Sequence, residues 1–235
     1  MIQRIPAPAL RKQRFSRREA LRLLASGALG AAGLGGYLSR ALASGSVDGV
    51  QGVAQVDGSV TVNGKAAKQG TPVQALDRVV TGKGAQVVIV VGKDAFLARD
   101  NTSLQFKGKG EALSGVVVQA GKVLSVFGRK PLVIEARDAS IGIRGTGAYL
   151  EVDEARVYFC LCYGEAVIDG PNMPSKVVQT THHESPLYLM GDGTTLRAEP
   201  GPFLNHKDDE LIMLEALVGR EPPFLKSGVY PSKRY

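Results

Sequence analysis

Five side chains suited to holding a soft metal ion lie in the C-terminal third of this 235-residue chain: Cys160, Cys162, His182, His183 and His206. Cys160 and Cys162 sit in the apolar run 156–163, which reads as a strand. The side-chain period of a strand is two, so both thiols project from the same face. The adjacent pair His182-His183 closes a later strand-like run, 177–181. Two thiolates with one or two imidazoles make a tetrahedral Cys₂His₂ site for zinc, or ligate copper, iron or an iron–sulfur cluster. On a regular strand His182 and His183 point to opposite faces, so both ligate only if the backbone turns there. Otherwise one ligates and the other orients it, or His206 completes the set.

Three other chemistries are open to the same cysteines. A disulfide is ordinary in an exported chain. On an extended strand, however, residues i and i+2 have Cα atoms roughly 6.5–7 Å apart, at the upper limit for a bridge. Strain of that kind suits a thiol–disulfide redox role. Buried small hydrophobes are the third option. Enzymatic readings find less support. Neither cysteine has a basic neighbour or helix N-terminus in sequence to lower its pKa. No signature of a cysteine hydrolase is present, and His182-His183-Glu184 is not the helical His-Glu-x-x-His of metalloproteases. Asp153 and Glu154 read as a hairpin turn. The chain is therefore expected to be non-enzymatic.

The elements that must position these residues are strands. From about residue 49 to 190, short apolar or alternating runs recur with Gly-containing turns between them, opening with Asp57-Gly58 and Asn63-Gly64. This predicts an all-β sandwich, barrel or β-roll. The run 87–91 is apolar on both faces and belongs in the middle of the core. One helix is expected over about 206–218, capped by Asn205, with a stripe of Leu211, Leu214, Leu217 and Val218 and a stop at Gly219. The expected organisation is a leader over 1–43, a β domain over 44–190 and a C-terminal extension over 191–235.

The formal net charge of +7 could suggest a nucleic-acid partner, but its location argues otherwise. Residues 1–43 hold eight Lys/Arg and one acidic residue, leaving 21 basic and 21 acidic in the remainder. A body with no excess charge lacks the footprint of a nucleic-acid binder. The leader carries Ser16-Arg17-Arg18 followed by Leu21, then a Gly- and Ala-rich apolar stretch ending in Ala41-Leu42-Ala43. This resembles a twin-arginine export signal, with Ala41 and Ala43 at the two small positions read by a signal peptidase. The apolar stretch is shorter than the ~20 residues needed to span a bilayer. The implied location is periplasmic, after handling by the twin-arginine export machinery. The only membrane contact would be an inner-membrane tether through an uncleaved leader.

Residues 133–164 are more particular. An apolar strand ending at Ala136 is followed by Ile143-Arg144-Gly145-Thr146, a strand, and then Gly164-Glu165-Ala166-Val167. This order resembles the FecR domain family, in which a strand carrying Val-Arg-Gly-Thr is followed by an aromatic strand and a later Gly-x-Val strand. Leu76, Asp77, Val79 and Thr81 resemble an upstream motif of that family, with Arg78 intervening and no Gly before Asp77. The resemblance covers about 49–168. It implies a periplasmic sensory or binding domain with an envelope protein or receptor as partner. Full regulators of that kind have a cytoplasmic sigma-factor-handling segment where this chain has its leader, so sigma-factor regulation is not implied. Read from the residues alone, Arg144, Gly145 and Thr146 form a structural turn, Gly145 permitting a bulge and Arg144 pairing with carbonyls or a buried carboxylate. An interaction domain of the cell envelope with no cofactor is the remaining alternative.

Overall fold

The computed structural model describes residues 50–226; the twin-arginine motif at Ser16, Arg17, Arg18 and Leu21 and the cleavage positions Ala41 and Ala43 lie outside them. The described chain is all-β with one C-terminal helix. The strands are β1 (Gly52–Asp57), β2 (Val60–Val62), β3 (Lys65–Ala66), β4 (Arg78–Thr81), β5 (Gln86–Val91), β6 (Asp94–Ala98), β7 (Ser103–Lys109) and β8 (Ala112–Val126). They continue as β9 (Pro131–Ala136), β10 (Ala139–Arg144), β11 (Gly147–Val152), β12 (Val157–Gly170), β13 (Met173–Thr180), β14 (Leu187–Gly191) and β15 (Leu196–Pro200). Helix α1 spans Asp208–Leu217.

Two layers share two long strands. One layer runs β1-β5-β6-β8-β11-β12-β14-β15, antiparallel throughout. The other runs β3-β2-β4-β7-β8-β9-β10-β12-β13, antiparallel except for β8 with β9. β8 pairs with β7 up to Ala120 and with β11 from Gly121 onward. β12 pairs with β11 up to Tyr163 and with β13 from Gly164. The crossing points are glycines with φ of 92° at Gly121 and 101° at Gly164, a backbone region that side chains disfavour. A Cβ at Gly164 would also lie 2.7 Å from Thr146 Cγ2. The two glycines therefore let single strands turn the corner of the sandwich.

The first layer is buried on both faces. Val87, Ile89 and Val91 of β5 join the core between the sheets, whereas Val88 and Val90 join a second core on the outer face. The doubly apolar run over 87–91 thus lies in the middle, as its composition predicts. Covering the outer face is the C-terminal segment, with Leu211, Leu214, Leu217 and Phe224 fully or almost fully buried against Val88, Val90, Leu97 and Leu124. β15 pairs with β14, so the sheet continues past the expected end at residue 190.

Helix α1 begins two residues later than the sequence suggests. Lys207, not Asn205, holds the cap position, and its N–H donates to Glu210 at 3.0 Å. Asn205 instead adopts φ 54° and donates its side-chain amide to Glu151 at 2.6 Å. Asp208, Asp209 and Glu210 put negative charge at the positive end of the helix dipole. Asn205 is thus spent on fixing the loop before the helix, which directs His206 toward the sheet.

Candidate metal centre

β12 places its odd residues Val157, Phe159 and Leu161 in the inter-sheet core. Its even residues Tyr158, Cys160 and Cys162 face the C-terminal segment. Both thiols therefore share a face, as the two-residue spacing requires. Both are free and fully buried.

The loop after β13 delivers the histidines. Glu184 accepts hydrogen bonds from the Thr181 hydroxyl, the Thr181 amide (2.6 Å) and the His182 amide (3.3 Å), folding the chain back on itself. Burial works against that carboxylate, but these donors outweigh it and hold its pKa down to about 2. His183 then adopts φ 59°, and its amide donates to the Cys162 carbonyl at 3.0 Å. This is the backbone turn that a regular strand lacks. It sends both imidazoles inward, with ring centroids 4.9 Å apart.

Four donor atoms converge. The Cys160 and Cys162 sulfurs and one nitrogen each of His183 and His206 all lie within 4.8 Å of one another. Cys160 Sγ is 3.5 Å from His183 Nδ1, Cys162 Sγ is 3.5 Å from His206 Nε2, and those two nitrogens are 3.1 Å apart. Bonds of about 2.3 Å to sulfur and 2.0–2.1 Å to nitrogen at tetrahedral angles would set S and N about 3.5–3.6 Å apart and two nitrogens about 3.3–3.4 Å apart. These three separations match three of the six edges of such a tetrahedron to within about 0.3 Å.

His182 is the exception among the expected ligands. Its ring belongs to a separate cluster with His183 and Asp208, away from the cysteines. Asp208 Oδ1 accepts from Nε2 of His182 at 2.9 Å and from Nε2 of His183 at 3.1 Å. Burial disfavours the Asp208 charge, yet the two imidazole donors outweigh burial and hold its pKa below the usual carboxylate value. His182 therefore serves Asp208, and Asp208 orients His183. In the sequence Asp208 reads only as an acidic residue in the first turn of the expected helix. Its spacing from His206, one residue intervening, was the available signal.

The outer partners fix the tautomers. A carboxylate only accepts, so His183 carries a proton on Nε2, and the neutral ring has its lone pair on Nδ1. His206 Nδ1 lies 2.6 Å from the Leu204 carbonyl, which also only accepts, so its lone pair is on Nε2. Those two lone pairs face each other across 3.1 Å. Neutral imidazoles in that arrangement repel, and a positive charge between them is required. A metal cation supplies it, or a second proton on one ring. The two thiols are shifted apart: donation from Cys162 lowers the Cys160 pKa to about 4, against the opposing effect of burial, while burial pushes Cys162 well up.

Water is kept out. Tyr149 stacks on His206 with centroids 4.4 Å apart, Phe203 packs on both His183 and His206, and Phe224 lies 4.5 Å from His182. No ligand side chain is more than 3% exposed. Such a centre has four protein donors and no open position, the pattern of a structural or electron-carrying site rather than a Lewis-acid catalyst.

The turn at Arg144, Gly145 and Thr146 lies elsewhere and is structural. Gly145 has φ 64° and donates its amide to the Gly128 carbonyl at 2.9 Å, and Arg144 donates to the Arg129 carbonyl at 3.2 Å. Thr146 is fully buried, and its carbonyl accepts from the Phe127 amide at 2.9 Å. Asp153 forms the expected hairpin turn, accepting from the amides of Ala155 and Arg156 at 2.8 Å.

No protein-family profile matches this chain, and no curated protein matches it. Among solved structures, it is similar to two crystal structures of a "putative anti-sigma factor" from Parabacteroides distasonis ATCC 8503. Identity is 8% and 9%, the TM-score is 0.44 for each, and each match covers 52% of this chain and 59% of the other. The match thus spans under two thirds of those chains. Likeness at this level is a partial similarity of fold and carries nothing about activity. Among the described residues, no helix is long and apolar enough to cross a membrane.

Proposed function

We propose that this chain is an exported, FecR-like binding or sensory module, non-enzymatic, whose Cys160, Cys162, His183 and His206 hold one tetrahedral zinc ion. The observation that carries the reading is the convergence of His183 Nδ1 and His206 Nε2, 3.1 Å apart, with two buried thiols each 3.5 Å from one of them. A divalent cation satisfies all four donors at once, with Asp208 and the Leu204 carbonyl as the outer partners that such histidines use. Zinc fits a closed S₂N₂ tetrahedron best, since it needs neither an open position nor a change of geometry. An iron–sulfur cluster fits less well, because it spreads its ligands over several irons and these donors enclose one point. The leader supports delivery to the periplasm, and the absence of excess charge in the body supports an envelope protein as partner rather than nucleic acid.

A thiol–disulfide role is the second reading, favoured by the lowered Cys160 pKa. Full burial of both sulfurs opposes it, since exchange needs an incoming thiolate to reach them. The test is metal content by plasma mass spectrometry on protein exported by its own host and purified without chelators, beside a Cys160→Ser/Cys162→Ser variant. One zinc per chain, absent from the variant, is the expected result. Copper or iron with a visible spectrum would move the site to electron transfer. No metal in either sample would refute the reading and leave the redox pair or a cofactor-free interaction domain.

A further inference from the structure

We propose that the metal centre is a latch, whose occupancy decides whether the C-terminal segment stays docked over the outer face of the first sheet. This rests on the metal reading above. Three of the four donors belong to the β body: Cys160 and Cys162 on β12, and His183 on the loop that β12 holds through the Cys162 carbonyl. The fourth, His206, belongs to the segment that crosses from β15 to α1, and Asp208, which orients His183, is the first residue of the helix. One cation would therefore join the two parts at the point where the helix starts.

Taking the cation away leaves that junction unfavourable. The lone pairs of His183 and His206 face each other, and two sulfurs and a carboxylate remain buried beside them. One ring can take up a proton, or His206 and Asp208 can swing out, since they sit on the segment beyond β15, whereas Cys160 and Cys162 are held in the paired strand β12. Undocking then propagates. α1 has ten residues, and an isolated helix shorter than ~12–15 residues is marginal in water, so a released α1 melts. Of the ties between segment and body, Arg99 to Glu210 at 2.9 Å and Tyr163 to Glu215 require the helix to be formed, whereas Asn205 to Glu151 at 2.6 Å, Arg99 to the Asn205 carbonyl at 3.0 Å and Tyr158 to the Pro202 carbonyl at 2.8 Å hold the loop before it. Its departure uncovers the apolar side chains Val88, Val90, Leu97 and Leu124. Site and sheet are thus coupled as a metal-dependent order–disorder switch.

Hydrogen exchange on the full chain tests this, comparing zinc-free protein with protein in zinc buffered at about 100 times its dissociation constant. Zinc uptake is measured in the same samples by competition with a chromogenic chelator. Binding to the docked state alone would suppress opening about 100-fold at that concentration, and zinc held by the three donors left on the body lowers that limit. The amides of α1 should gain protection up to that limit, while those of β5 and β6 hardly change. His206→Ala should loosen α1 even in zinc and leave the β body protected, because three donors remain. Zinc uptake with unchanged α1 protection, or with all amides shifting together, overturns the latch and leaves the metal site standing. Unaltered α1 protection in His206→Ala also overturns it. Failure of the wild-type chain to take up zinc removes the metal reading and the latch with it.

Discussion

Asp208→Asn is the substitution that best separates a built metal site from a chance gathering of polar groups. The Asp208 carboxylate touches no cysteine; it acts through His183 Nε2 at 3.1 Å and is itself braced by His182 at 2.9 Å. Asparagine keeps the shape and one acceptor but removes the negative charge that raises the basicity of His183 Nδ1. Its amide group can also turn a donor toward the ring, which would favour the wrong tautomer. Loss of such an outer partner typically costs 10–100-fold in metal affinity, or about 1.4–2.7 kcal/mol. The four donors are untouched, so stoichiometry should stay at one ion and the spectrum of the cobalt-substituted protein should remain tetrahedral. Competition against a chelator of known affinity measures the change, with His182→Ala expected to fall between wild type and Asp208→Asn. Wild-type affinity in Asp208→Asn would refute the orienting role. Complete loss of metal, equal to that of His183→Ala, would show that the carboxylate is a ligand itself.

The remaining predictions concern the frame that holds the site. Gly164→Ala should lower stability by about 2–4 kcal/mol, combining a side chain at φ 101° with a 2.7 Å approach to Thr146, and thermal unfolding should register it as a fall in Tm of about 5–12 °C; an unchanged Tm would mean that β12 does not need its corner glycine. Tyr163→Phe removes the hydroxyl that donates to the buried Glu215 and should cost about 1–3 kcal/mol in denaturant unfolding, with metal content unaltered. The Asp192 carboxyl, bonded first by the Thr194 hydroxyl and then by the amides of Thr194 and Thr195, should titrate at about 2 by NMR rather than near 3.8. Because its folded pKa is the lower one, its contribution to the β14–β15 turn is present above about pH 3.8 and fades as pH falls through about 2. Thr194→Val should move the titration back toward 3.8, and an unmoved midpoint would contradict the assigned donor.

The sequence by itself determined what is local. Alternation along 156–163 put Cys160 and Cys162 on one face, because a strand repeats every two residues whatever it pairs with. The doubly apolar run over 87–91 announced a layer covered on both sides, and the Leu211, Leu214, Leu217 stripe announced a helix that must pack on something. Turn dipeptides marked the hairpins. What the sequence left open was set by long-range contact. The runs 156–163 and 166–168 read as separate strands, but they are one bent strand, since Gly164 allows a corner that only the facing Thr146 makes visible. Asn205 has the chemistry of a helix cap, yet Glu151, 54 residues away in sequence, captures its amide and shifts the helix start to Lys207. Neighbours in sequence separated in role: His183 faces the sulfurs because Glu184 and the Cys162 carbonyl bend its backbone, while His182 braces Asp208. Residue type marked these side chains as able to bind a cation. Only tertiary structure brought His206 and Asp208 across from the C-terminal segment to meet them, because donors so distant along the chain converge through the packing of α1 on the sheet and not through any spacing.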